Sequence, residues 1–250
     1  MRYFLEIAYK GTNYHGWQIQ NNAHTIQAEL ENALKLLLGT SVDTIASGRT
    51  DAGVHAEQQF VHFDSSQKLT THHLFKLNKI LPEDVWVKAG YRVVDNANAR
   101  FDAISRSYEY RIFKTKNPFY RGLYYYYFRP LNIALMQQAS DLLLKHQDYQ
   151  CFSRVKTSVE HFLCDITEAQ WIDTEEVLIF KIKANRFLRG MVRTIVGTLL
   201  EVGLEKLSVE EFESIILAKD RKQAGRSAPP EGLYFTKIEY PSMIFIEPVQ

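Results

Sequence analysis

Only two cysteines, Cys151 and Cys164, occur in the 250 residues, too few for a disulfide framework and without the paired spacing of a thioredoxin-like or zinc site. Both are expected to be core or strand residues. No apolar run approaches the length of a membrane span, and Glu6 interrupts the opening Met-Arg-Tyr-Phe-Leu, so neither a membrane segment nor a signal peptide is expected and the expected compartment is the cytoplasm. An excess of one charge is lacking as well: 30 Lys and Arg face 29 Asp and Glu, a net +1. A chain coated in nucleic acid would be far more basic, so any attraction to an anionic partner has to be local. The eight histidines show no metal-ligand spacing; His72 and His73 are adjacent and would point apart on a helix or a strand. Gly11 to Gly16 has the spacing that opens a P-loop, yet Trp17 and Gln18 stand where its lysine and hydroxyl residue are needed.

What is present is a globular composition, 46% hydrophobic and 24% charged. A chain of this length buries roughly 70 to 75% of its unfolded surface, as one large domain or two small ones. Positive charge is gathered in two places. Arg106, Arg111, Lys114, Lys116, Arg121 and Arg129 face the single acid Glu109 and are interleaved with Tyr108, Tyr110, Phe113, Phe119, Tyr120 and Tyr124 to Tyr127. Lys181, Lys183, Arg186, Arg189 and Arg193 form a second cluster without an acid. Basic groups for phosphate mixed with aromatic faces for bases suit RNA; a packed strand with one solvated face is the other reading of the tyrosine run.

The periods along the chain describe two similar halves. In the first, a strand at Tyr3 to Tyr9 leads to a helix capped by Thr25, carrying Ile26, Leu30, Ala33, Leu34 and Leu37 and ended by Gly39. Strands are predicted near 42 to 47, 57 to 64 and 85 to 94, with a helix over 71 to 81 stopped by Pro82. In the second, strand Tyr108 to Lys114 precedes helix Ile133 to Lys145, strands near 163 to 172 and 177 to 184, and an apolar helix from Phe187 to about Val202. Ser208 and Glu211 make a capping box for a helix to about Lys219, and Leu233 to Tyr240 is a last strand. The fold class is α+β: a duplicated unit around mixed, largely antiparallel sheets. The boundary falls near residue 104, giving domains 1–103 and 104–250, and no low-complexity linker marks it.

Residues 46 to 56, Ala-Ser-Gly-Arg-Thr-Asp-Ala-Gly-Val-His-Ala, have neither helical nor strand period. Gly48 and Gly53 can take φ > 0 and let a tight loop present Asp51 to a cleft, with Arg49 two residues earlier to hold it ionised, as a nucleophile or general base must be. An ordinary Asp-x-Gly turn fits the same letters. Farther on, Arg189 and Arg193 fall four apart in the apolar helix from Phe187, on one side of it, and a buried arginine needs an anion.

Gly48-Arg-Thr-Asp-Ala-Gly-Val-His55 resembles the central motif of the tRNA pseudouridine synthase A family. Gly11-Thr-Asn-Tyr-His-Gly-Trp-Gln18, Ala99-Arg-Phe-Asp102, Arg106-Ser-Tyr-Glu-Tyr-Arg111, Phe187-Leu-Arg-Gly-Met-Val-Arg-Thr-Ile-Val-Gly197, Lys219-Asp-Arg221 and Ala228-Pro-Pro-Glu-Gly-Leu-Tyr234 resemble its other landmarks, in the family's order and over nearly the whole chain. Lys10 and Cys164 depart from the pattern, at positions that bear on peripheral RNA contacts. The resemblance implies two ferredoxin-like halves with sheets joined side by side and a cleft between them, a homodimer, and conversion of uridine to pseudouridine at positions 38, 39 and 40 of the tRNA anticodon stem-loop, with neither cofactor nor metal. It implies that Asp51 is catalytic, as nucleophile or base on the sugar or the uracil, and that Arg193 is its partner. It further implies that Tyr108 is the active-site tyrosine, stacking on the base, with Tyr110 as the core alternative on the same strand face, that Arg49 keeps the flipped base out, and that Arg106 and Arg189 join the substrate-binding residues, Arg189 peripherally. Two rivals make different demands. A non-catalytic RNA-binding protein would leave the bound uridine unchanged, and a carboxylate hydrolase would need a second acid, for which Glu57 and Asp64 are the nearby candidates.

Overall fold

Strand and helix periods alternate through the chain much as the sequence pattern predicts. The computed structural model describes residues 1–154 and 160–250. In chain order the elements are β1 (Arg2–Tyr9), α1 (Ile26–Leu38), β2 (Ile45–Ala46), β3 (His55–Asp64), α2 (Thr71–Ile80), β4 (Val85–Val93), β5 (Ser105–Phe113), β6 (Tyr125–Tyr126), α3 (Ile133–Leu142), β7 (Ile166–Asp173), β8 (Val177–Ala184), α4 (Met191–Gly203), α5 (Val209–Ala218), β9 (Leu233–Glu239) and β10 (Phe245–Pro248). Helices and mixed sheet make an α+β fold. The chain divides into two units, 1–104 with 235–250, and 105–234.

In the first unit β1 lies between β3 and β4, antiparallel to both; β2 pairs with β3, and β10 extends the sheet beyond β4. The order β4-β1-β3-β2 with helices after β1 and β3 is the ferredoxin-like arrangement. α1 forms where the sequence places it: the Thr25 hydroxyl accepts from the Ala28 amide at 3.4 Å, and Gly39 closes the helix at φ 72°. α1 buries Ile26, Leu30, Ala33, Leu34 and Leu38. Another cluster is aromatic. Phe4 and Phe60 meet Tyr240 at 5.4 and 5.3 Å between ring centroids, and Tyr91 meets Phe245 at 5.3 Å. This cluster is why residues 235–250 belong here and not with the second half, to which the sequence boundary at 104 gave them. Main-chain bonds from Ile104 to Glu239 and from Val94 to Ile244 hold the returning segment. β10 has no sequence signal, because its pairing with β4 is decided by this docking.

In the second unit β8 pairs with β5 and β7, antiparallel to both, and β6 adds a short parallel pair to β5. α3 packs on β7 and α4. Gln137 on α3 bonds to the Trp171 amide and the Ala169 carbonyl of β7, and the Trp171 indole donates to Ser140 at 3.1 Å. α4 buries every residue except Arg193 and Glu201. It begins at Met191, not Phe187, because Gly190 turns left-handed at φ 73° just before it. α3 likewise stops at Leu142, β7 starts at Ile166, and the strand predicted over 42 to 47 shrinks to two residues. Both cysteines are core residues, and burial pushes their thiols up, Cys151 to about 12 and Cys164 to about 11.

Residues 225–228 lie flat on α4. The Gly225 amide donates to Thr198 Oγ1 at 3.0 Å, Ser227 shares a 3.0 Å hydroxyl bond with Thr194, and the Ala228 amide reaches the Arg193 carbonyl at 2.8 Å. Gly197 permits this approach, since a Cβ there would stand 1.7 Å from the Arg226 carbonyl oxygen.

Two stability predictions follow from these contacts. Alanine is the better helix former by about 1 kcal/mol, so a helix governed by propensity would gain from Gly197→Ala. We expect the reverse, a lower Tm by thermal circular dichroism, because the methyl pushes residues 225–228 off their partners; a higher Tm would refute the packing. His62 is buried on β3 with Nδ1 accepting from the Ala99 amide at 3.1 Å, and burial first, then the Arg2 charge, lowers its pKa. The folded pKa therefore lies below the unfolded value, so its stabilisation is complete above the ordinary imidazole range and is lost as pH falls through that range. Melting followed from about pH 7.5 down to about pH 5 should show this step. The step should flatten in His62→Asn, and an unchanged step would assign it elsewhere.

Candidate active site

The loop from Ser47 to Val54 crosses from β2 to β3 with backbone groups bonded along its length. The Gly48 carbonyl accepts from Gln59 Nε2 at 2.7 Å, the Thr50 carbonyl from the Trp17 amide at 3.1 Å and the Asp51 carbonyl from the Val54 amide at 3.2 Å, while the Gly53 amide donates to the Tyr14 carbonyl at 3.2 Å. Two of those partners come from residues 11–17, the stretch that fails as a P-loop. Gly16, at φ 88°, faces the Asp51-loop backbone so closely that a Cβ would stand 2.4 Å from the Thr50 carbonyl oxygen; at Gly11 it would stand 1.9 Å from that of Val54. The Gly11 amide donates to His55 Nδ1 at 3.1 Å, which makes that ring nitrogen an acceptor. Tyr14 donates its hydroxyl to Asp84, and burial together with that bond pushes its pKa up. Two glycines five residues apart ahead of a predicted helix were the available sign of this clamp, but without a recognised partner they read only as a polar loop.

Within the loop the side chains divide. Thr50 is buried, Arg49 is exposed and Asp51 is half-buried, so Asp51 and Arg49 are both presented by one pinned loop. The expectation of φ > 0 holds at Gly53, at 78°, and not at Gly48. Gly48 is held instead through its carbonyl. Of the two rival acids, Asp64 ends β3, roughly 30 Å along the strand from His55 at about 3.3 Å per residue. It is also held by Arg2 at 2.8 Å, which keeps its carboxyl below the usual range. Glu57 is exposed on β3.

In the second unit Tyr108 sits on β5 opposite Ile182, nearly buried, with its ring edge against Phe187 at 5.1 Å between centroids. Tyr110, on the same face, is fully buried. It donates to the Pro229 carbonyl at 2.7 Å, lies where a Gly232 side chain would be, and has its phenol pushed up by burial. Tyr110 is thus the packing member of the pair. Arg193 is half-buried on α4 and donates Nε to the Ala228 carbonyl at 2.7 Å. Arg189 is not on one helix side with it, as the spacing predicts, because it precedes α4; it is exposed in the turn, its carbonyl accepting from the Arg154 amide. Arg106 is buried, with one guanidinium nitrogen on the Asn185 carbonyl at 2.7 Å.

The basic and aromatic surface resolves unevenly. Glu109 takes Arg111 at 2.8 Å and Lys181 at 3.3 Å, and the Arg111 guanidinium lies 4.0 Å over the Tyr234 ring. Tyr124 packs inward with its hydroxyl on Asn117, whereas Tyr126, Phe128, Tyr120 and the 91% exposed Phe119 face solvent beside exposed Lys116, Arg121 and Arg129. Both readings of the tyrosine run therefore apply, to different residues. His73, set aside as a ligand, caps α2 by accepting the Thr70 amide at 3.1 Å. Among the described residues no helix is long and apolar enough to cross a membrane.

Residues 139–241 match the family model described as tRNA pseudouridine synthase. The protein named tRNA pseudouridine synthase A of Azobacteroides pseudotrichonymphae is 45% identical over 98% of this chain and 98% of its own. Its namesake in Bacteroides thetaiotaomicron is 45% identical over 98% and 93%, and that of Bacillus subtilis 38% identical over 96% and 99%. Identity at this level along almost the full length of both partners, together with the landmark motifs, places the chain: it belongs to the tRNA pseudouridine synthase A family.

Proposed function

We propose that this isomerase converts uridine to pseudouridine at positions 38, 39 and 40 of the tRNA anticodon stem-loop, with Asp51 as its reacting carboxylate. The observation that carries the assignment is the loop itself. A half-buried carboxylate stands on a backbone whose neighbouring groups on both sides are bonded or in close contact, a placement that a surface turn has no reason to maintain. The reaction breaks the bond from C1′ to N1 of uracil, turns the base and joins C1′ to C5. The C5 hydrogen leaves as a proton and N1 gains one, so no electrons are exchanged and no cofactor or metal is called for. A stem uridine is stacked and paired, and extruding it costs a few kcal/mol, which phosphate contacts and stacking offset.

The remaining roles are those the motifs carry. Arg193 keeps the carboxylate ionised, Arg49 holds the vacated position in the RNA, and Tyr108 stacks on the base and assists proton removal. Arg106 and Arg189 contribute to RNA binding, Arg106 through the segment its buried guanidinium fixes and Arg189 directly from its exposed turn. Residues 1–104 with 235–250 supply the aspartate loop, and residues 105–234 supply the tyrosine and the arginine helix. The family resemblance supports a cytoplasmic homodimer.

Asp51→Asn and Asp51→Ala should abolish turnover while tRNA affinity stays within about tenfold, or 1.4 kcal/mol, because RNA is held mainly by phosphate contacts elsewhere. Transcripts with a single uridine at 38, 39 or 40 should each be modified by the wild type and by neither variant. Turnover near wild type in a folded Asp51→Asn protein would reject the assignment.

A further inference from the structure

Three buried polar side chains lie beneath the Asp51 loop. Tyr9 ends β1, Gln59 is in β3 opposite Ile7, and Thr50 immediately precedes the aspartate. The Tyr9 hydroxyl is 2.7 Å from Thr50 Oγ1 and 2.5 Å from Gln59 Oε1, and Gln59 Nε2 is 2.7 Å from the Gly48 carbonyl. The directions of these bonds are fixed by elimination. A carbonyl only accepts, so Gln59 turns its amide nitrogen to Gly48 and its oxygen to Tyr9. Tyr9 spends its one proton on that oxygen, so Thr50 donates to Tyr9.

Both ends of this chain finish on the loop, at Gly48 and Thr50, the residues on either side of Arg49 and immediately before Asp51. Thr50 is held at two points, its hydroxyl by Tyr9 and its carbonyl by the Trp17 amide. The Thr50 carbonyl lies in the planar peptide unit that runs on to Asp51, so holding it orients that plane and the Asp51 Cα from which the carboxylate starts, while the hydroxyl bond anchors the Thr50 side chain to β1. Apolar residues could fill the same space without the cost of burying hydroxyl and amide groups. The polar set is retained where its bonds orient one catalytic segment against two rigid strands.

We propose that Tyr9, Gln59 and Thr50 are positioning residues for the isomerisation, setting the Asp51 carboxylate through the Gly48–Thr50 backbone; this rests on Asp51 being the reacting group. The relay acts on the chemical step and not on tRNA binding. Misplacing a reacting group by about 1 Å can cost about 100-fold in rate. We therefore expect Tyr9→Phe and Thr50→Val each to lower kcat by about 10- to 100-fold with tRNA Kd unchanged, and Thr50→Ser, which keeps the hydroxyl, to retain most of the rate.

Tyr9→Phe removes the bonds to both Thr50 and Gln59 and so already removes the one bond that Thr50→Val breaks; the double variant should therefore lose no more than the worse single variant. The experiment is single-turnover kinetics and filter binding on uridine-containing tRNA for these four variants, with Asp51→Asn alongside. If Tyr9→Phe does not fold, the comparison of Thr50→Val with Thr50→Ser decides alone. Rates within twofold of wild type for Thr50→Val, losses that appear in Kd, or losses that multiply in the double variant would overturn the relay. An active Asp51→Asn protein would instead overturn the reading on which it rests, and is distinguished by that variant alone.

Discussion

Backbone laid directly on backbone is the contact on which this structure turns. In the first unit the Gly11–Gly16 segment comes so near residues 50–54 that a single methyl group at Gly16 or Gly11 would collide with a carbonyl oxygen. Without that approach the Trp17 and Tyr14 bonds to the aspartate loop do not form, and a loop that lacks helical or strand pairing of its own would have no fixed shape. The same device recurs in the second unit, where Gly197 lets residues 225–228 settle on α4 and brings the Ala228 carbonyl to the Arg193 guanidinium. The loop that carries Asp51 and the guanidinium of Arg193 are thus placed by main-chain contacts that tolerate no side chain.

Much of the architecture was legible because local signals and tertiary packing agree. Thr25, Gly39, Ser208 and Glu211 cap the helices they were expected to cap, and β8 runs over the expected 177–184 because its alternation of buried and half-buried residues is a surface property of the strand itself. Signals failed where a distant contact decides. α4 starts four residues later than its apolar pattern because Gly190 takes a left-handed turn, and the same turn removes Arg189 from the helix side expected to carry Arg193. The segment 235–250 reads as a continuation of the second half, yet its aromatic residues pack on Phe4, Phe60 and Tyr91. The candidate site was legible as letters before it was legible as geometry: Asp51 stood out through its motif, whereas Tyr9 and Gln59 lie in ordinary strand patterns with nothing in their spacing to mark a shared hydrogen bond.

A nearly neutral chain can act on a polyanion because its charge is distributed by place. Glu109 draws Arg111 and Lys181 inward to the sheet, while Lys116, Arg121 and Arg129 remain exposed beside Phe119, Tyr120, Tyr126 and Phe128. Such a surface offers phosphate contacts and stacking faces together. The isomerisation needs little more than a held RNA and one well-placed carboxylate, since the base that leaves is the base that returns.

The central claim is that this chain breaks and remakes a glycosidic bond within tRNA with no net change of composition. The most direct measurement is tritium release from unmodified tRNA labelled at C5 of its uracils, read beside the mass of the same tRNA. Joining C1′ to C5 displaces that hydrogen, so the account predicts tritium entering water in step with pseudouridine formed, while the mass of unlabelled tRNA carried through the same reaction stays constant. Binding without tritium release, or free uracil accompanied by an abasic site, would contradict it.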